Sequence, residues 1–229
     1  MNDIARQEAL RKMVKCKFCG HKKLNAKGRV SYPDSMVREY RRITNSYMAL
    51  LNKAVSEYMP EIKAALKQEQ QNARADALSD LWLVVHEAVA RMVAKTEELT
   101  NKYNLEKKLN YLASLTVKLS IKEWKKVVKS TLGIDLLDDY YLGEFYRQQT
   151  QMWVADNVSL IKSISQETLA KMQDIVLVGF RSGKTTTSII KEIRQAYGVS
   201  KRKAQLIARD QMAKLNADIT RSQQEDAGV

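Results

Sequence analysis

The sequence predicts an all-α protein: an elongated multi-helix body followed by a basic C-terminal three-helix unit. Only two prolines and eight glycines interrupt 229 residues. Apolar residues recur at i, i+3, i+4 and i+7 over long stretches, and the strict alternation that marks a half-buried strand is almost absent. With 45% hydrophobic and 28% charged residues, the chain can bury one large or two smaller cores, and it lacks the composition of a disordered tail.

The formal net charge of +13 sits at the two ends. Residues 1–30 hold nine basic against two acidic side chains and residues 171–214 ten against three, while 31–170 are nearly neutral at nineteen against eighteen. Basic ends on a near-neutral body point to a polyanion partner, because Lys and Arg release counterions from a phosphate backbone. Solubility is the plainer alternative. No apolar run approaches the ~20 residues that span a bilayer, and no hydrophobic signal core opens the chain. The expectation is synthesis and use in the cytoplasm, with no membrane partner.

Residues 1–30 read as a basic arm with little helical pattern. They hold both cysteines, in Cys16-Lys17-Phe18-Cys19-Gly20-His21, the spacing of half a zinc knuckle. Cys16, Cys19 and His21 supply three of the four ligands that a closed zinc site needs, so an acidic residue or another subunit would have to complete it. Two reduced thiols or a redox pair are the competing readings.

The helical body spans 31–164. Pro33-Asp34-Ser35 opens a helix whose stripe of Val37, Tyr40, Ile43, Tyr47, Leu51, Ala54 and Val55 leads to Met59-Pro60. A bend is expected there, then a polar helix from Glu61 to about Gln71. The next helix covers Ala75 to Tyr103, with Trp82, Val85, Val89, Met92 and Leu99 on one face. His86 lies within that stripe and reads as a hydrogen-bonded residue at the core edge rather than a ligand. Leu105, Leu109, Leu112, Leu115 and Leu119 continue the pattern; Ser120 is expected to cap a further helix through Trp124 and Val127, which Gly133 ends. Antiparallel packing through Leu and Val suits a bundle.

Asp135, Asp138 and Asp139 come next. Carboxylates this close could hold a divalent ion for nuclease chemistry, or cap the following helix at its positive end. The aromatic run Tyr140 to Trp153 is either a core hub or a docking surface.

The C-terminal unit covers 165–229. Ser165 is expected to cap its first helix and Gly183 to end it; the second starts among Thr185, Thr186 and Thr187 and stops at Gly198; Ser200 caps the third. The run from Gly179 to Thr185, G-F-R-S-G-K-T, has three residues between its glycines where a phosphate-binding loop needs four, and it follows a helix rather than a strand. Tyr197-Gly198-Val199-Ser200 before a basic helix has the rhythm of a helix-turn-helix, although Arg194 stands where a small residue usually lets the two helices approach. Lys201, Arg202 and Lys203 are expected in the first turn of the third helix, about 100° apart, a fan suited to phosphate contact rather than base reading. Arg181, Lys184 and Arg209 complete the candidate nucleic-acid-binding set.

An ordered series of residues here is similar to a known family. It runs Leu177-x-Gly179-x-Arg181-Ser182-Gly183-x-Thr185-Thr186, Tyr197-Gly198-Val199-Ser200, Ala204-x-x-Ile207-Ala208-Arg209-Asp210-Gln211, Lys214-Leu215-Asn216 and Glu225-x-Ala227-Gly228-Val229. Over about the last 65 residues the chain resembles the start of the domain found in head-morphogenesis or minor head proteins of tailed bacteriophages, the Mu F-like family. The resemblance implies a minor structural component of the virion head, present in several copies and assembled in the host cytoplasm near the portal, while composition and spacing by themselves point to a helical, polyanion-binding, non-enzymatic protein. It also implies contacts to portal or major capsid protein and to double-stranded DNA without sequence preference. No catalytic residue and no cofactor beyond zinc at the cysteines is expected. A helix-turn-helix regulator and a metal-dependent nuclease are the alternatives.

Overall fold

The computed structural model describes residues 33–71, 75–133, 135 and 144–227. Among them the elements are five helices and no strand: α1 Asp34–Gln71, α2 Ala75–Lys102, α3 Leu105–Leu132, α4 Glu144–Arg181 and α5 Thr186–Ala227. The protein is all-α. Cys16, Cys19, His21, Asp138, Asp139 and the aromatic residues Tyr140 and Tyr141 lie outside the described residues.

Several ends follow the local chemistry that the sequence advertises. The Pro33 carbonyl accepts from the N–H groups of Met36 and Val37, and Asp34 stands in the positive first turn of α1. Asn104, with φ 55°, follows α2, and Gly133, with φ 67°, follows α3. α4 closes in a Schellman arrangement: the N–H of Gly183 bonds to Phe180 O at 3.1 Å and that of Lys184 to Gly179 O at 2.9 Å, while Gly183 takes φ 65°. The Thr185 hydroxyl accepts the Ser188 N–H at 3.2 Å and caps α5.

Four expected breaks are absent. Pro60 lies inside α1, where it removes one donor while Val55, Met59, Ile62 and Leu66 remain buried on either side of it. Ser120 sits within α3, buried, and donates to Gln223 Oε1 at 3.3 Å. Ser165 is buried in the middle of α4, so the expected boundary between body and C-terminal unit falls inside a helix. Ser200 donates back to Ala196 O at 3.1 Å, and Gly198 keeps ordinary helical φ, so α5 passes through both. Ser is not compelled to cap: its hydroxyl can be satisfied on the preceding turn. The C-terminal stretch therefore holds two long helices where three were expected, and the helix-turn-helix corner is missing.

The chain divides into two compact units. In one, segments of α1, α2, α4 and α5 share a core built from Val55, Met59, Val89, Met92, Met172, Val176, Phe180, Ile189 and Ile193. Tyr103 ties this unit's chain back to α1 by donating to Ile43 O at 2.9 Å, and its ring meets Tyr47 edge-on at 5.6 Å. The other unit packs α3 with the N-terminal part of α4, the C-terminal part of α5 and the start of α1. Its centre is a polar cluster in an apolar surround. Tyr40 donates to Asn157 Oδ1 at 2.6 Å, Asn157 Nδ2 donates to Trp153 O at 2.7 Å, and Trp153 Nε1 donates to Gln211 O at 3.0 Å. Tyr146 and Trp153 are thus core residues, whereas Met152 is exposed.

Candidate nucleic-acid interface

The α4–α5 corner exists because two glycines do different jobs. Gly183 supplies the left-handed residue, and Gly179 lets Ile189, fully buried, press against the α4 backbone. This corner holds Arg181 and Lys184. The Arg181 guanidinium lies over the Trp82 ring, 4.6 Å from its centroid, which fixes its stem but leaves the residue exposed. Lys184 Nζ is held by both carboxylate oxygens of Glu192, at 3.0 and 2.9 Å. That contact, with the Ser188 hydroxyl as a second donor, keeps the Glu192 carboxyl below the usual carboxylate range.

Lys201, Arg202 and Lys203 occupy the middle of α5 rather than the first turn of a helix. No free N–H groups or positive dipole end therefore reinforce them toward a phosphate; their charge acts alone. Lys203 pairs with Glu167 at 3.3 Å, whereas Lys201 and Arg202 have no partner among the described residues. Arg209 is exposed, belongs to the other unit and is engaged in an interaction of its own. The six predicted cations are thus not equivalent: two are unpaired, two are held by carboxylates, one is stacked and one stands in a different unit.

Sequence reading missed two further cations of α5, Lys191 and Arg194, both exposed and unpartnered among the described residues. Helix geometry could have found them. Lys191 and Arg202 are eleven residues apart, and Arg194 and Lys201 seven, so each pair points the same way to within ~20°. The result is two short basic rows on α5 instead of a single fan. Val199 and Leu206, 57% and 75% exposed, stand seven apart on another part of the same surface.

Other candidate sites look different in three dimensions. Asp135 is exposed and paired with Lys129 at 2.9 Å, and no group of three His, Cys, Asp or Glu among the described residues could hold a metal ion. His86 is exposed and tilts against Trp82 with centroids 6.1 Å apart, rather than hydrogen-bonding at the core edge. Among the described residues no helix is long and apolar enough to cross a membrane.

No family model matches this chain, and no solved structure matches it. The chain is 25% identical over 183 residues to an uncharacterized protein of Haemophilus influenzae. The match covers 80% of this chain and 41% of the relative, so the chain spans about two fifths of that relative's length.

Proposed function

We propose that this chain is a minor, non-enzymatic head protein of a tailed bacteriophage that associates with portal or capsid protein and touches packaged DNA through phosphates. The reading rests on the resemblance of the ordered series of residues from Leu177 to Val229 to head-morphogenesis proteins. Two glycines of that series, Gly179 and Gly183, have a physical reason to be glycine at the α4–α5 corner. Unpaired Lys191, Lys201 and Arg202 on one helix support sequence-independent phosphate contact. The regulator alternative loses its support because α5 is continuous where the turn would be. The first check is whether portal and major capsid genes flank this one. Co-expression with those proteins and gradient sedimentation then provide the test: the chain should sediment with assembled heads or portal rings. A chain that stays at the top of the gradient while heads form would refute the reading.

A further inference from the structure

A groove of about 400 Å³ runs along the surface of the four-helix unit between α1 and α5. From α1 it takes residues between Asn52 and Lys63 at helical spacing, and from α5 residues between Ile190 and Tyr197. Eleven residues of helix extend ~16 Å, about three turns, so the groove has the length of a helical segment rather than of a compact small molecule. Its floor is apolar, with Val55, Met59 and Ile193 buried and Ile190 half-buried. Its rim carries donors without acceptors: Lys63, Arg194 and the Tyr197 hydroxyl line the groove, and none has a hydrogen-bond or ion-pair partner among the described residues.

We propose that this groove is a docking site for an acidic amphipathic helix of a partner protein, its apolar side chains on the Met59–Ile193 floor and its carboxylates on Lys63 and Arg194. Charge complementarity selects this occupant. A second copy of this chain, with net charge +13, would bring like charge to the rim. Nucleic acid would place its phosphates over a floor of Val, Met and Ile that offers no donor, whereas an i, i+3, i+4, i+7 apolar stripe fills such a floor. Burial pushes the Tyr197 hydroxyl above the usual tyrosine range, so it stays protonated and available as a third donor to a carboxylate. The inference stands apart from the head-protein reading, since such a groove can serve any assembly.

The test uses the full chain with methyl NMR of its Met and Ile residues, and as probe a labelled synthetic helix with Leu at i, i+3, i+4 and i+7 flanked by Glu. The peptide should shift the Met59, Ile190 and Ile193 methyls. Replacing its Glu by Gln should weaken binding about tenfold, as should Lys63→Gln with Arg194→Gln, each removing two rim ion pairs. The charge-reversed variant Lys63→Glu/Arg194→Glu should instead prefer a Leu/Lys helix, a gain that misfolding cannot produce. Peptide binding that leaves these methyls unmoved or ignores the Glu-to-Gln change would overturn the proposal. So would a short duplex DNA that produces the same methyl shifts and competes with the peptide.

Discussion

A Cβ atom on Gly179 would lie 2.8 Å from both Cγ1 and Cδ1 of Ile189. Real Cβ atoms essentially never show so short a contact, so alanine at 179 would force the fully buried Ile189 side chain, or the α4–α5 corner itself, to shift. Gly179→Ala should therefore destabilise the protein by about 1–3 kcal/mol through overpacking, although alanine is the better helix former. In the Ile189→Ala background, which costs about 2–5 kcal/mol by itself, the same change should be neutral or stabilising. Denaturant unfolding of the four proteins checks the reversal of sign; additive losses would mean that the contact is not the cause.

Gly198 is the opposite case. It lies within α5 without positive φ, and a Cβ there would meet no neighbour within 4 Å. Gly198→Ala should stabilise by about 0.5–1 kcal/mol, since glycine in a helix interior costs that much relative to alanine. A helix-turn-helix corner would give the reverse sign, so thermal unfolding of this one variant separates a continuous α5 from the turn that the sequence suggests.

The same contrast explains what was legible in the sequence. Gly133, Gly183 and Asn104 end helices because each takes a left-handed φ, and Thr185 caps because its hydroxyl meets a free N–H. Gly198, Ser200, Ser120, Ser165 and Pro60 use the same residue types, yet tertiary packing runs the helix through them. A stop signal lowers helix stability by about 1 kcal/mol, or about 3 for proline, and burial of Met59, Ile62, Leu66, Ala204 and Ala208 on neighbouring turns outweighs it. The apolar stripes were readable because they depend on period alone. Which cations stay unpaired was not, because the Lys203–Glu167 pair joins residues 36 apart on different helices.

The Tyr40–Asn157 hydrogen bond, 2.6 Å long and buried, has a pH signature. Burial raises the Tyr40 hydroxyl above the usual tyrosine range, so it is neutral in the fold while an unfolded tyrosine ionises near ~10. Its contribution is fully present below that pH and is lost as pH rises beyond it, at about 1.4 kcal/mol per pH unit. Tyr40→Phe should cost about 1–3 kcal/mol at neutral pH by leaving Asn157 Oδ1 short of a donor. It should also flatten the fall in stability between pH 10 and 11, a range set by the ordinary tyrosine value. Equal slopes for both proteins in alkaline unfolding titrations would refute the assignment.

The basic face of α5 makes a prediction that depends on which cations are paired. Every phosphate neutralised on duplex DNA contributes about 0.9 to the slope of log K against log salt. Lys201 and Arg202 are exposed and unpartnered among the described residues, so changing both to Gln should flatten the slope by about 1.8 and weaken binding to all duplexes equally. Lys184 is paired with Glu192 instead, so a neighbouring carboxylate offsets its charge. Glu192→Gln removes that carboxylate and frees Lys184, so it should tighten DNA binding and steepen the slope, whereas Lys184→Gln in the native background should change little. The two substitutions sit on one ion pair and are predicted to differ in size, which mere net charge does not produce: by net charge alone they would be equal and opposite. Anisotropy titrations over a range of salt, on random-sequence and single-sequence duplexes, read both. Equal and opposite effects would reduce the interface to bulk charge, and one protected site resistant to random competitor would show that bases are being read.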